Sequence, residues 1–375
     1  MSRVKFGDVV KDVKINIDRL NNPYEYYVAG DHMDSEDLTI HRKGCFTTDD
    51  VGPAFIRVFK PGQILYGSRR TYLKKIAVAD FEGVCANTTF VFETKDPHAF
   101  EQRLLPFIML SKDFTTWSIA KSKGSTNPYV LFSDLADFEF ELPPLEEQKV
   151  LVDKLWAAYR LKEAYKKLLV ATDEMVKSQF IEMMGDFRSN PKGWKIKKLS
   201  ELASYTIGLT YKPEQVCDVG TIVLRSGNIQ DNQINLDDLV RVNTIIRENL
   251  WVREGDILMC SRNGSASLVG KVAQIKAVSE PMTYGAFMTV IRSEYSDFLY
   301  LYFQSANFRD QISGGKSSTM NQITQKMLDK IEFPFPDLDT ISSLSSILQQ
   351  ADKSKFELKQ CIENIDKVIK SLING

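Results

Sequence analysis

Residues 123–145, KGSTNPYVLFSDLADFEFELPPL, have a counterpart at 316–338, KSSTMNQITQKMLDKIEFPFPDL. Lys123, Ser125, Thr126, Leu135, Pro143 and Leu145 fall on Lys316, Ser318, Thr319, Leu328, Pro336 and Leu338, a displacement of 316 − 123 = 193. The same displacement carries Gly62 and Ser68-Arg69 of PGQILYGSRR (61–70) onto Gly255 and Ser261-Arg262 of EGDILMCSRN (254–263), and Phe6 onto Leu199. Between these anchors VAGDHMD (28–34) resembles RSGNIQD (225–231) at 197 and SKDF (111–114) resembles SANF (305–308) at 194, so small insertions fall in loops. Three separated anchors at one displacement mark an internal repeat, which organises every other reading of the chain.

Each copy carries short runs of alternating, β-branched character: KIAVADF and TTFVFE in the first, TIVLRS, KVAQIKA and FMTVIR in the second. These read as strands. A helical patch follows in each, HAFEQRLLPFIML and DFLYLYFQS. After Pro143-Pro144 the chain runs from 145 to 184 without Pro or Gly, with acids in the first turn, as a helix start requires. Leu151, Ala158, Leu161, Tyr165, Leu168, Thr172 and Met175 lie there on a 3/4 spacing, and Leu344, Ile347, Ala351, Ser354, Leu358, Cys361, Ile365, Val368 and Leu372 repeat it in the second copy. Steps averaging 3.5 predict a coiled-coil seam.

The expected fold is therefore mixed α/β (α+β): two repeated globules separated by two long helices forming an antiparallel coiled coil, with the globules at opposite ends of a rod. The expected divisions are a first globule over 1–142, a first helix over 143–184, a turn-rich linker GDFRSNPKGW over 185–194, a second globule over 195–336 and a second helix over 337–375.

Composition adds bounds. Of 375 residues, 43% are apolar and 26% charged, long enough for two domains of roughly 150 residues. The start MSRVKFGDVV has no apolar signal core and no run suggests a membrane span, so the cytoplasm is the expected compartment. Five scattered cysteines form no CxxC, which argues against a disulfide framework or a zinc site. Net charge is −1, but its distribution is uneven. Residues 51–79 hold Arg57, Lys60, Arg69, Arg70, Lys74 and Lys75 with no acid, and 114–133 hold Lys121 and Lys123 with none. Local basic surface is what a phosphate backbone feels within a Debye length.

Gly315-Lys316-Ser317 looks like the end of a phosphate-binding loop, but the glycine that motif needs five residues earlier is Asp310. A loop with Lys, Ser and Thr in both copies suits contact with a polyanion through a few donors, and a polar turn capping a helix is the structural alternative. The candidate DNA contacts are Arg69, Arg70, Lys74, Lys75, Lys121, Lys123, Ser125 and Thr126 in the first copy. In the second they are Arg225, Asn228, Arg262, Asn263, Lys316, Ser317, Ser318 and Thr319. Arg69 and Arg70, opposite Arg262 and Asn263, are the expected base readers, because arginine pairs bidentately with guanine and asparagine with adenine. His32, His41 and His98 have no triad or metal spacing, and NPYV (127–130) lacks the second proline of an adenine methyltransferase pocket. No catalytic residue, metal or cofactor is expected.

At ELPPLEEQKVLVDKL (141–155) the chain resembles the specificity subunits of Type I restriction–modification systems. The resemblance covers essentially the whole chain: the LPPLEEQ start of the first helix, the KGST loop, the NPKGW opening of the second half and the half-repeat itself. It implies that each globule is a target recognition domain reading one part of a split sequence in double-stranded DNA, that the helices hold the two apart, and that they dock two methyltransferase subunits, which a motor-nuclease subunit can join. Leu145, Glu146, Glu147 and Gln148 are the docking residues it points to. FPFPDLDTISSL departs from the pattern at the second helix. A methylation-only system, a free-standing P-loop or methyl-transfer enzyme, and a coiled-coil scaffold without DNA are the alternatives at this point.

Overall fold

The computed structural model of the chain describes residues 2–18, 21–313 and 321–374. It divides into two units, Met1–Lys167 with Leu358–Gly375, and Leu168–Glu357.

In the first unit one antiparallel sheet runs in the order Val10–Asp12, Thr89–Thr94, Ile64–Gly67, Ile76–Val78. A second runs Gly44–Cys45, Tyr26–Val28, Gly83–Ala86, Phe55–Phe59, with the middle pair parallel. The second unit repeats the first order with Ser204–Ile207, Met288–Arg292, Ile257–Cys260, Val272–Gln274. Its other sheet runs Val216–Cys217, Val240–Val242, Thr221–Leu224, Met282–Tyr284, where the parallel pair is the last two strands at the edge rather than the middle pair. A separate ladder closes each globule next to its helix. Ser2 pairs with Leu142 in the first, and Lys195 with Phe335 in the second, again 193 positions on. The second globule adds a hairpin of Ile229–Gln230 with Gln233–Ile234.

The repeat anchors have local causes. Gly62 and Gly255 both turn at positive φ, +85° and +84°, where a side chain would be strained. Ser68 donates its amide and its hydroxyl to the Thr88 carbonyl, and Ser261 does the same to the Phe287 carbonyl. Phe6 and Leu199, both fully buried, begin short helices whose first amides reach Phe138 and Ile331.

The long helices span Leu145–Met184 and Leu338–Asn374. Val152, Leu155 and Tyr159 share a core with Ile369 in the first unit, where Lys162 meets Asp366 at 2.6 Å. Val176, Phe180 and Met184 share a core with Ile341, Leu344 and Leu348 in the second, where Lys355 meets Asp173 at 2.8 Å. Within each unit the helices therefore pair antiparallel. The expected stripe has the right period. On the second helix Leu344 and Ala351 are buried as expected, and Ile347, Ile365 and Leu372 pack against the cores. On the first helix, and at alternate positions of the second, the buried residue lies one position further on. Leu161, Leu168 and Met175 are about half exposed, as is Val368, while Ser354 and Cys361 face solvent. The buried positions are Val152, Leu155, Tyr159, Val176 and Phe180 on one helix, and Leu344, Leu348, Ala351, Lys355 and Ile369 on the other.

The second helix starts without the Pro-Pro-Leu-Glu-Glu-Gln run. Asp337 instead accepts the Thr340 amide at 2.8 Å, as an N-cap. Among the described residues no helix is long and apolar enough to cross a membrane.

Candidate nucleic-acid interface

The two acid-free stretches of the first globule meet in space. The turn after Ile64–Gly67 carries Arg69 and Arg70, both exposed. Arg69 bridges to Tyr129, the Arg70 amide donates to Pro128 O at 2.7 Å, and the Val130 amide donates to Ser68 O at 2.9 Å. Arg70 and Lys74 both take left-handed backbone, φ 50° and 47°, bracketing the 3₁₀ turn Thr71–Leu73 and turning Tyr72 outward. Thr71 Oγ1 meets Ser122 Oγ from behind at 3.1 Å, so the strained turn is held by its neighbour.

Charges within this surface differ in availability. Arg70 Nε donates to Asn127 Oδ1 at 3.2 Å. Lys74 is paired with Glu36 at 2.8 Å, and the Lys75 ammonium donates to the Gly30 carbonyl. Lys121 lies 4.8 Å above the Trp117 ring. Lys123 pairs with Asp134 at 2.8 Å, and this contact, ahead of an opposing burial effect, holds the Asp134 carboxyl below its usual range. Ser125 and Thr126 follow Gly124, at φ +87°, and are exposed.

The second globule repeats this frame. Arg262 bridges to Gln322, the Ile323 amide donates to Ser261 O at 2.7 Å, and the Asn263 amide donates to Asn321 O at 3.3 Å. The Arg262 guanidinium lies 5.3 Å from the centroid of the exposed Phe287 ring. Asn263 Nδ2 donates to Ser226 Oγ at 3.1 Å, which brings the Arg225–Asn228 turn alongside. Arg225 reaches Asp238 at 3.2 Å. Lys316, Ser317, Ser318 and Thr319 lie outside the described residues. Asp310, the residue that breaks the phosphate-loop motif, sits on the helix Ala306–Ser313 and pairs with Arg188 at 2.5 Å.

Three expectations are corrected. Asn228 is buried: its Oδ1 accepts the Arg225 amide, and its Nδ2 donates to the Asn235 and Asp238 carbonyls, each at 2.9 Å. It braces the turn and presents nothing to a ligand. Arg57, counted with the basic surface, is buried against Asp12 at 2.9 Å and the Thr89 carbonyl at 3.0 Å. Gln148, taken as a docking residue, is fully buried. It accepts the Glu101 amide at 2.9 Å and donates to the Ala99 and Pro143 carbonyls at 2.9 and 2.8 Å, which clamps the helix start to its globule. Its repeat position is the buried Ile341, so this polar clamp exists in one copy only. Glu146 and Glu147 remain exposed and Leu145 half-buried. The exposed aromatics Tyr72, Tyr129 and Phe287 were missed, because residue type alone does not tell a surface ring from a core ring.

One polar cluster lies away from this surface. Asp37, His41 and Glu163 place ligand-type atoms within 4.8 Å of one another. The Lys166 ammonium sits against them, 2.9 Å from Asp37 and 2.8 Å from Glu163, so the cluster is an ion-paired bracket between the 37–41 loop and the first helix.

Twin mixed α/β globules, each closed onto the ends of paired long helices and each presenting an arginine turn, define an architecture that comparison with known proteins identifies. The model of the Type I restriction modification DNA specificity domain matches residues 19–169 and 191–367, and the chain belongs to this family. It is 29% identical over 198 residues to the Type I restriction enzyme EcoKI specificity subunit of Escherichia coli K12, covering 49% of this chain and 42% of that subunit. It is 23% identical over 319 residues to the MjaVIII specificity subunit of Methanocaldococcus jannaschii, covering 78% and 73%. The chain thus spans less than half the length of the E. coli subunit. In fold it resembles a chain solved in a study of complex assembly and conformational transition of the type I R-M system, with TM-score 0.56, 19% identity and coverage of 99% and 96%. It also resembles the Type I restriction-modification S subunit from M. genitalium, with TM-score 0.55, 14% identity and coverage of 99% and 95%.

Proposed function

We propose that this chain is the sequence-reading, non-catalytic subunit of a Type I restriction–modification complex, working on double-stranded DNA in the cytoplasm without a cofactor of its own. Residues 1–142 and 195–336 are its two target recognition domains, and each reads one part of a split target. The observation that carries this reading is the arginine turn joined to the neighbouring loop by one bridge in each globule, Arg69 to Tyr129 and Arg262 to Gln322, on frames whose other residues differ. Like frames with unlike surfaces suit two different base sequences met through similar phosphate contacts. Arg69, Arg70, Lys121, Lys123, Ser125 and Thr126 serve the first tract. Arg225, Arg262, Asn263 and the Lys316–Thr319 loop serve the second.

The helices set the distance between tracts and dock two methyltransferase subunits, which a motor-nuclease subunit can join. Leu145, Glu146 and Glu147 and the half-exposed Leu161, Leu168 and Met175 are the docking residues. Long-read mapping of methylated DNA in the host, with and without this gene, tests the proposal. Loss of one bipartite methylated motif on deletion supports it, and an unchanged methylome contradicts it.

A further inference from the structure

In each globule the matched arginine has an exposed aromatic residue as a neighbour, by ring contact in the second and by a backbone bridge in the first, and the two come from different places in the repeat. In the second globule the ring is Phe287, 56% exposed, on the carbonyl-bearing turn that holds Ser261 and Arg262. The Phe287 carbonyl accepts the Ser261 and Arg262 amides, both at 3.0 Å, and the Ser261 hydroxyl at 3.1 Å. The residue that plays this part in the first globule is Thr88, which accepts Ser68 in the same way and has no ring. There the aromatic is Tyr129, 41% exposed, bridged to Arg69 and bonded through both backbone groups to Lys123. Its repeat position is Gln322. Neither position therefore needs an aromatic for the frame to fold. Single exposed apolar side chains are ordinary, but an exposed aromatic residue next to the matched arginine in both globules, reached by two routes, is not required by the frame.

We infer that Phe287 and Tyr129 press against base steps of the duplex, each within the tract read by its own globule. This rests on the DNA reading proposed above. The physics is that of an apolar or aromatic wedge: the ring partly unstacks a step, its face or edge replaces the lost stacking, and the cost depends on which step is opened. The ring thereby adds sequence preference that no hydrogen bond supplies. The adjacent arginine holds the phosphate or base edge that fixes the ring's position along the tract. No covalent step is involved.

The test uses the full chain with its methyltransferase subunits and a duplex bearing the mapped motif, with 2-aminopurine placed one position at a time through both tracts. Binding of the unaltered complex should raise fluorescence severalfold at one step in each tract. Phe287→Ala should abolish the rise in the second tract only and weaken binding roughly tenfold. Tyr129→Ala should abolish it in the first tract only. Phe287→Leu, which keeps an apolar wedge, should retain part of the signal. Both rings are exposed, so the thermal midpoint of each variant should stay near that of the parent, which separates a lost contact from a lost fold. Alanine variants that match the parent in fluorescence and affinity, while the parent still discriminates its motif, overturn the wedge and leave DNA reading intact. A parent complex with no preference for the motif overturns both.

Discussion

Asp37 shows how a polar residue earns its place through partners far away in the chain. Burial opposes its ionisation, but the Tyr159 hydroxyl at 2.6 Å, the Thr39 amide and the Lys166 ammonium outweigh that, bringing its pKa from 3.8 to about 2. A carboxylate with a depressed folded pKa adds stability that is complete above its unfolded value and disappears as pH falls through the folded one. The window is therefore about pH 4 down to pH 2, and the contribution at neutral pH is on the order of 2 kcal/mol. Asp37→Asn should lower stability at pH 7 by about that amount and flatten the loss between pH 4 and 2, read by denaturant unfolding across pH. Identical acid limbs for parent and variant would contradict this account. The sequence showed none of it. Asp37, Gln148, Asn228 and Arg57 are surface types by composition. Asp37, Gln148 and Arg57 are buried because a distant loop, strand or helix supplies the missing donor or acceptor, and Asn228 because its own turn folds over it. Arg69, Arg262 and the two acid-free stretches were legible, because a matched pair and a run without carboxylates are properties of the string itself.

At the scale of the element, the 3.5-residue period of both long helices was readable, and its phase only in part: Leu344 and Ala351 are buried as expected, while the first helix buries the next position along. Two of the seam positions are lysines, Lys162 and Lys355, whose ammonium groups meet Asp366 and Asp173 while their stems pack inward. An apolar template passes over such positions and settles on the next face, where Leu161, Leu168 and Met175 recur every seven residues. That face remains about half exposed, with Ala157, Ala164 and Ala171 alongside. Replacing Leu161, Leu168 and Met175 together by glutamate should leave the melting temperature nearly unchanged and abolish co-purification of the methyltransferase subunits. Leu155→Ala, in the buried stripe, should instead cost about 2–5 kcal/mol. Retained co-purification of the triple variant, with its fold intact, would place docking elsewhere on the chain.

For the whole molecule, the repeat was the most legible feature, and it explains why fold and site could be approached together. Anchors such as Gly62/Gly255 and Ser68/Ser261 mark backbone that must recur, and the residues between them are free to differ. The hairpin of Ile229–Gln230 with Gln233–Ile234 and the two aromatic wedges lie among those differing residues, where self-comparison has nothing to match. The central claim is that each globule reads its own tract. The ladder Ser2–Lys5 with Glu139–Leu142 closes the first globule just before Pro143, so residues 1–142 can be exchanged with the ladder intact. The most direct measurement is long-read mapping of the methylated motif in cells where this segment is replaced by the first globule of another specificity subunit. The account predicts a motif with one tract changed, the other tract kept and the spacing kept. A methylated motif in which both tracts change, or neither does, would contradict it.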